Sequence, residues 1–155
     1  MIRRAWPADA PALEAILHET FATTWRPNIT PAAAQAFLDE RRPAAYVAER
    51  GLEFWVAERG GEVVGLAHRE GDFVHALHVH SAHARRGVGA RLMDRIEAEA
   101  ADAGLTTLRL ETDTFNTASQ AFYRTRGYRE AGRYPDEEWN SGLTTLLLVK
   151  DLTGG

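Results

Sequence analysis

The stretch from Phe73 to Thr112 constrains the fold of this chain more than any other. Phe73 to His80 reads as a strand with apolar and polar residues intermixed, and a turn with the sequence Arg85-Arg86-Gly87-Val88-Gly89-Ala90 follows it. From Gly87 to Ala103, the residues Val88, Leu92, Ile96 and Ala100 recur every four positions, which predicts a helix with one apolar face. Gly104 is placed to end that helix in a left-handed cap. A further strand, Leu105 to Thr112, comes directly after. Strand, glycine-rich turn, helix and strand make a βαβ unit, whose strands should lie parallel with a right-handed crossover.

The rest of the chain predicts elements that follow one another closely. Ile2 to Ala5 is a short strand, and Asp9 is placed to cap a helix whose residues Leu13, Ile16, Leu17 and Phe21 share one face. Thr30-Pro31 starts a second helix, which Pro43 is expected to end. Phe54 to Glu58 and Val63 to Ala67 read as a hairpin across Gly60-Gly61. Thr117 and Gln120 form a capping-box pattern for a short helix carrying Phe122 and Tyr123 and stopped by Gly127. Strands around Tyr128 to Tyr134 and Leu143 to Lys150 close the fold as an antiparallel pair. With 155 residues, 45% of them hydrophobic, and no repeat or long linker, residues 1–155 read as one domain.

The turn after the Phe73 strand carries the first chemical signal. A helix start exposes unpaired backbone N–H groups and a partial positive charge, and glycines let an anion approach the backbone closely. Arg85 and Arg86 add mobile positive charge, so the turn suits a pyrophosphate. No Gly-Lys-Ser/Thr follows, as a Walker loop requires, and the third glycine of a dinucleotide fingerprint is replaced by Leu92. The competing reading is a glycine-rich strand-to-helix turn with solvated arginines, and the turn alone does not choose between them.

Composition removes several classes of function. The chain has no cysteine, which excludes disulfides, thiolate metal ligands and a cysteine nucleophile. A formal charge of -4 argues against a nucleic-acid partner, which needs a concentrated basic face. No apolar run approaches bilayer length, and the start MIRRAWPADAPALEAIL is broken by prolines and charges, so a cytoplasmic protein with no membrane partner is expected.

Two motifs together resemble the GNAT family of N-acetyltransferases. The first is Leu77-His78-Val79, a short gap, and Arg85 to Ala90; the second is Asn116 followed by Ser119, Phe122, Tyr123, Gly127 and Tyr128. The hairpin Phe-Trp-Val-Ala-Glu-Arg-Gly-Gly-Glu-Val-Val-Gly is also similar to the family, and the likeness runs through nearly the whole chain. Two positions depart from the pattern: Ala84 stands where glutamine or arginine usually opens the loop motif, and Ser81 where a proline commonly follows the cofactor strand. The resemblance implies an α/β (α+β) fold: a mixed, mostly antiparallel central sheet flanked by helices, with a parallel pair splayed apart at the acetyl-CoA site. Pantetheine would lie in that gap, pairing with bulged backbone groups at Leu77 to Val79.

The resemblance also implies roles. Leu77, His78, Val79, Arg85, Arg86, Gly87, Val88, Gly89, Ala90, Asn116, Ser119 and Tyr123 would hold acetyl-CoA, and the Val79 N–H would steady the thioester oxygen. Tyr123 would protonate the leaving thiolate, with Phe122 beside it as packing. The base that deprotonates the amine is either Glu111 or His75, and the bland alternatives are a solvated glutamate and a core histidine. Asn116 also suits a helix cap. The acceptor is expected to be an amine-bearing small molecule or peptide, with residues 23–28 and the loop from Asp136 to Asn140, including Glu137 and Glu138, lining its approach. Homodimers are common among such relatives, although no sequence marker of one is identifiable.

Two other classes of function compete. One is a CoA-sensing module without chemistry. The other is a metal site built from His75, His78, His80 and His83, of which His78 and His80 would share a strand face; no recognisable ligand spacing completes it, and no metal ligand is assigned.

Overall fold

The computed structural model describes residues 1–136 and 142–153. One seven-stranded sheet runs through the protein in the order β1-β2-β3-β4-β5-β7-β6. Its strands are β1 (Ile2–Arg4), β2 (Trp55–Arg59), β3 (Glu62–Glu70), β4 (Phe73–Val79), β5 (Thr107–Asp113), β6 (Arg129–Pro135) and β7 (Thr144–Asp151). All neighbours pair antiparallel except β4 and β5, the two strands of the expected βαβ unit, which are parallel. The hairpin across Gly60-Gly61 and the final antiparallel pair form as the sequence predicts.

The described residues form five α-helices: α1 (Ala10–Thr20), α2 (Pro31–Asp39), α3 (Arg42–Arg50), α4 (Val88–Asp102) and α5 (Thr117–Thr125). Strand alternation divides the apolar residues between two faces. Val56, Leu66 and Ala76 pack with Leu13, Ile16, Leu17 and Val47 of α1 and α3. Ala57, Ala67, Val74, Leu108, Leu110, Leu146 and Leu148 pack with Val88, Leu92, Met93, Ile96 and Ala100 of α4, and Tyr123 of α5 joins them. Burying each large α4 side chain contributes roughly 1.5–3 kcal/mol, which holds this helix to the sheet far more firmly than its own propensity would. Phe21 stacks on Phe37 at 3.9 Å to tie the end of α1 to α2.

Gly65 sets how closely α4 approaches. A Cβ there would lie 3.0 Å from Val88 Cγ1, 3.1 Å from Leu92 Cδ1 and 3.2 Å from the His78 carbonyl, so only glycine lets the first turn of α4 rest directly on β3.

Four expectations are corrected. The second helix stops at Asp39, and Pro43 sits in the first turn of a third helix, α3, where a missing N–H costs nothing. The break between them is made by Arg41, at φ 49°. Asp9 precedes α1 but its side chain makes no cap bond; it accepts from the Trp6 N–H at 2.6 Å and pairs with Arg3 at 2.8 Å. The α5 cap is Asn116 rather than Thr117: its Oδ1 accepts from the Ser119 N–H at 3.1 Å, while Gln120 Nε2 donates to the carbonyls of Asp113 and Thr114. Finally, the β4 bulge lies at His75, between the pairs His68↔Ala76 and Arg69↔Val74, whereas Leu77 to Val79 stay in register with β3.

Candidate active site

The parallel pair does not stay together. β4 and β5 are in register only at Phe73↔Arg109 and Val74↔Leu110, and from there to Val79 and Asp113 they diverge. Asp72 and Arg109 fasten the closed end with a bidentate pair at 2.9 and 3.1 Å. The open end is a cleft of about 700 Å³ running between the two strands and under the start of α4 and α5.

Beyond Val74, divergence leaves the inner edge of β4 without a strand partner among the described residues. The His80 N–H donates to the Val64 carbonyl at 2.8 Å, toward β3. Amide directions alternate along a strand, so the N–H groups of Leu77 and Val79 point into the gap. Here the backbone can receive an extended ligand as though it were another strand.

At the far end of the gap stands the turn before α4. Arg85 at φ 61° and Gly87 at φ 80° both adopt the left-handed conformation, which gathers consecutive backbone amides on one side. Among the described residues no side chain caps α4, in contrast to α2, capped by Thr30, and α5, capped by Asn116. The first intrahelical bond is Arg91 N–H to the Gly87 carbonyl, which leaves the earlier amides of the turn available to an anion. A Cβ on Gly89 would sit 3.7 Å from both Phe122 Cζ and Val79 Cγ2, in the channel between β4 and α5. This is a cradle that a side chain would partly fill, and its donor set fits the diphosphate and amide groups of coenzyme A.

Of the residues singled out from sequence, His75, Leu77, His78, Val79, Arg85, Gly87, Val88, Gly89, Ala90, Glu111, Asn116, Ser119 and Tyr123 line the cleft. Arg86 does not. Thr24 and Trp25 from the helix connection also line it, as does Phe122. The Thr112 hydroxyl donates to Ser119 Oγ at 3.0 Å, joining β5 to α5 beneath the cleft. Of the expected acceptor loop, Glu137, Glu138 and Asn140 lie outside the described residues.

Tyr123 is buried against Phe122 and Tyr128, with ring centroids at 5.1 and 5.5 Å, and burial raises its hydroxyl well above the usual tyrosine range. His75 and Glu111 each lie one residue beyond the last paired position of their strands, so they flank the narrow end of the gap from opposite sides. Glu111 accepts a hydrogen bond from the Tyr134 hydroxyl, and His75 Nε2 lies 3.0 Å from Glu70 Oε2. The histidines proposed as a metal cluster go separate ways. His78 meets the Trp25 ring edge-on and burial pushes it down to about 4; His80 pairs with Glu19 at 2.6 Å, and His75 with Glu70. Among the described residues the four do not come together as a ligand set.

Sequence reasoning missed Asp113, whose carboxyl is pushed up to about 6 by burial, and then by the charges of Asp136 and Glu111. Its place two residues after Glu111, on the same strand face, was the available signal. Unfolded, this carboxyl titrates near ~3.9. The native state therefore holds the extra proton between those values, and stability falls as pH rises from 4 to 6. Above pH 6 the cost is fully present. Discounted for partial solvent screening it is about 1 kcal/mol. Asp113→Asn should accordingly raise Tm by about 2–4 °C at pH 8 and barely change it at pH 4, as followed by thermal melts. An equal shift at both pH values would contradict this.

A central sheet opened between two parallel strands, with an uncapped glycine-rich helix start facing the opening, defines an N-acetyltransferase fold of the kind that receives acyl-CoA. The chain belongs to the Acetyltransferase (GNAT) family, which it matches over residues 13–128. It is similar to the IAA acetyltransferase of Azospirillum brasilense, with 33% identity over 69% of this chain and 71% of that one. It is also similar to N-acetyltransferase 8B of Rattus norvegicus, at 31% identity over 61% of this chain but only 48% of that one, so it spans about half the length of that relative. In fold it resembles the GCN5-related N-acetyltransferase of Rhodopseudomonas palustris, with a TM-score of 0.79 at 24% identity, covering 97% of this chain and 94% of that one. The protein is thus an acetyl-transferring enzyme that uses acetyl-CoA. Among the described residues no helix is long and apolar enough to cross a membrane.

Proposed function

We propose that the protein moves the acetyl group of acetyl-CoA onto the primary amine of a small molecule or peptide, by direct attack within a ternary complex. The observation that carries this reading is the meeting, at one cleft, of two inward-facing β4 amides, the bare α4 turn, Tyr123, and the His75/Glu111 pair. The thioester supplies an acyl group already activated for transfer, and a chain without cysteine has no thiol to form an acyl-enzyme.

Each step falls to a group on the chain. The α4 turn holds the diphosphate, with Arg85 beside it, and the Leu77 amide receives the pantetheine arm. The Val79 N–H donates to the thioester oxygen as charge builds there, and a fixed amide does so without reorganising. His75 and Glu111 remove the ammonium proton, since an alkyl amine with a pKa near ~10.4 arrives charged at neutral pH. Tyr123 donates toward the sulfur as the C–S bond breaks. Glu111, Asp113 and Asp136 gather negative charge at the acceptor side, which favours a cationic amine and repels an anionic one.

A panel of amines offered with acetyl-CoA, read by free-thiol release, tests this directly. On the best acceptor, Glu111→Gln and His75→Gln should each lower kcat/KM roughly 10- to 100-fold at pH 7. The deficit should shrink toward pH 10, where the amine loses its proton unaided. Full activity of both variants at pH 7 would remove this pair from the reaction.

A further inference from the structure

Behind His75, away from the α4 turn, three side chains converge that the transfer reaction does not use. Glu53 ends the turn after α3, and His68 and Glu70 lie on β3; one ligand-type atom from each falls within 4.8 Å of the other two. His68 is only 1% exposed. Its Nδ1 lies 2.6 Å from the Tyr46 hydroxyl, but its Nε2 is buried with no hydrogen-bond partner among the described residues. The nearest carboxylate oxygen, Glu53 Oε1, stands 3.7 Å from that nitrogen, too far for a hydrogen bond and far enough to admit an ion between them.

The charges around this nitrogen are also incomplete. Arg50 Nη1 bridges Glu53 Oε2 at 3.1 Å and Glu70 Oε1 at 3.0 Å, using one oxygen of each carboxylate. The second oxygens are Glu53 Oε1, nearest His68, and Glu70 Oε2, which is 3.0 Å from His75 Nε2. One guanidinium against two carboxylates leaves an excess negative charge. Burial holds His68 below the ordinary histidine range, so its ring is neutral at pH 7, the form that ligates a metal.

We propose that Glu53, His68 and Glu70 form a binding site for a divalent transition metal, with zinc as the ion best matched to one imidazole nitrogen and two carboxylates. His75 stacks on His68 with ring centroids 5.4 Å apart and stands beside the site as its neighbour toward the cleft. Tyr46 fixes the His68 ring through its second nitrogen, as outer groups do around metal-bound histidines. Arg50 stays on the outer carboxylate oxygens.

Zinc chloride titrated by calorimetry into untagged protein previously treated with a chelator tests the proposal. One ion per chain should bind with a dissociation constant of roughly micromolar or below. The Glu53→Gln/Glu70→Gln double variant should bind at least ~30-fold more weakly, because an amide is a poorer ligand than a carboxylate. Its metal-free Tm should stay within about 3 °C of wild type, since the Arg50 pairs it loses are exposed. Cobalt offers a second reading: its visible absorption should report a low-coordinate site in wild type and be lost in the double variant. No saturable zinc heat in wild type overturns the proposal. So does unchanged zinc affinity in the double variant, which would place the ion on the other histidines.

Discussion

Replacing Tyr123 by phenylalanine is expected to lower kcat by about 10²–10³ while changing the KM for acetyl-CoA less than threefold. The ring packs between Phe122 and Tyr128 and is 7% exposed, so phenylalanine preserves the contacts that hold α5, and Tm should change little. What it removes is the hydroxyl. Burial raises that hydroxyl's pKa, so it stays protonated at any working pH and wild-type activity should show no alkaline limb from its ionisation. A thiol of pKa near ~8.5 is a stronger acid than such a phenol. In the proposed reaction the tyrosine would therefore act chiefly through a hydrogen bond that strengthens as sulfur gains charge, an interaction made in the transition state and not in the ground state. Free-thiol release at saturating acetyl-CoA measures the effect. An unchanged rate would show that departure of the thiolate needs no acid from this position.

The second large effect is expected at Gly89, and it falls on binding rather than on stability. Gly89 is the second residue of α4, and a Cβ there meets Phe122 and Val79 at 3.7 Å, an ordinary contact distance. Gly89→Ala should fold normally and gain up to about 1 kcal/mol, because alanine loses less entropy than glycine in a helix. Gly89→Val places two further carbons in the channel where the α4 amides must approach a diphosphate. Its affinity for acetyl-CoA should fall at least 100-fold, which corresponds to about 2.8 kcal/mol, while Tm stays within a few degrees of wild type. Separate readings of affinity and melting distinguish a blocked cradle from a damaged fold.

The βαβ unit was legible because its signal is periodic: Val88, Leu92, Ile96 and Ala100 are all at most 4% exposed. The parallel pairing of β4 with β5 follows from the helix between them. Other features left weaker traces. α3 was hidden because Pro43 ends a helix or begins one, and only the left-handed Arg41 tells which. The bulge at His75 has no sequence marker, since it depends on how β3 and β4 share their register. Adjacent arginines look alike in sequence; the positive φ at Arg85 and Gly87 leaves Arg85 at the cleft and Arg86 outside it. Asp113 stands out only once burial and neighbouring acids are known. Glu53, His68 and Glu70 come from a turn and a strand with no recognisable ligand spacing, so folding alone brings them together.

In the proposed reaction, acetyl transfer requires the bare amides at the start of α4 to grip the diphosphate of coenzyme A. Calorimetric titration of acetyl-CoA into the wild-type protein tests that most directly. One molecule should bind per chain at roughly micromolar affinity, and Gly89→Val should abolish the heat over the same range. A well-folded wild-type protein that gives no heat, or a valine variant that binds as tightly as wild type, would contradict it.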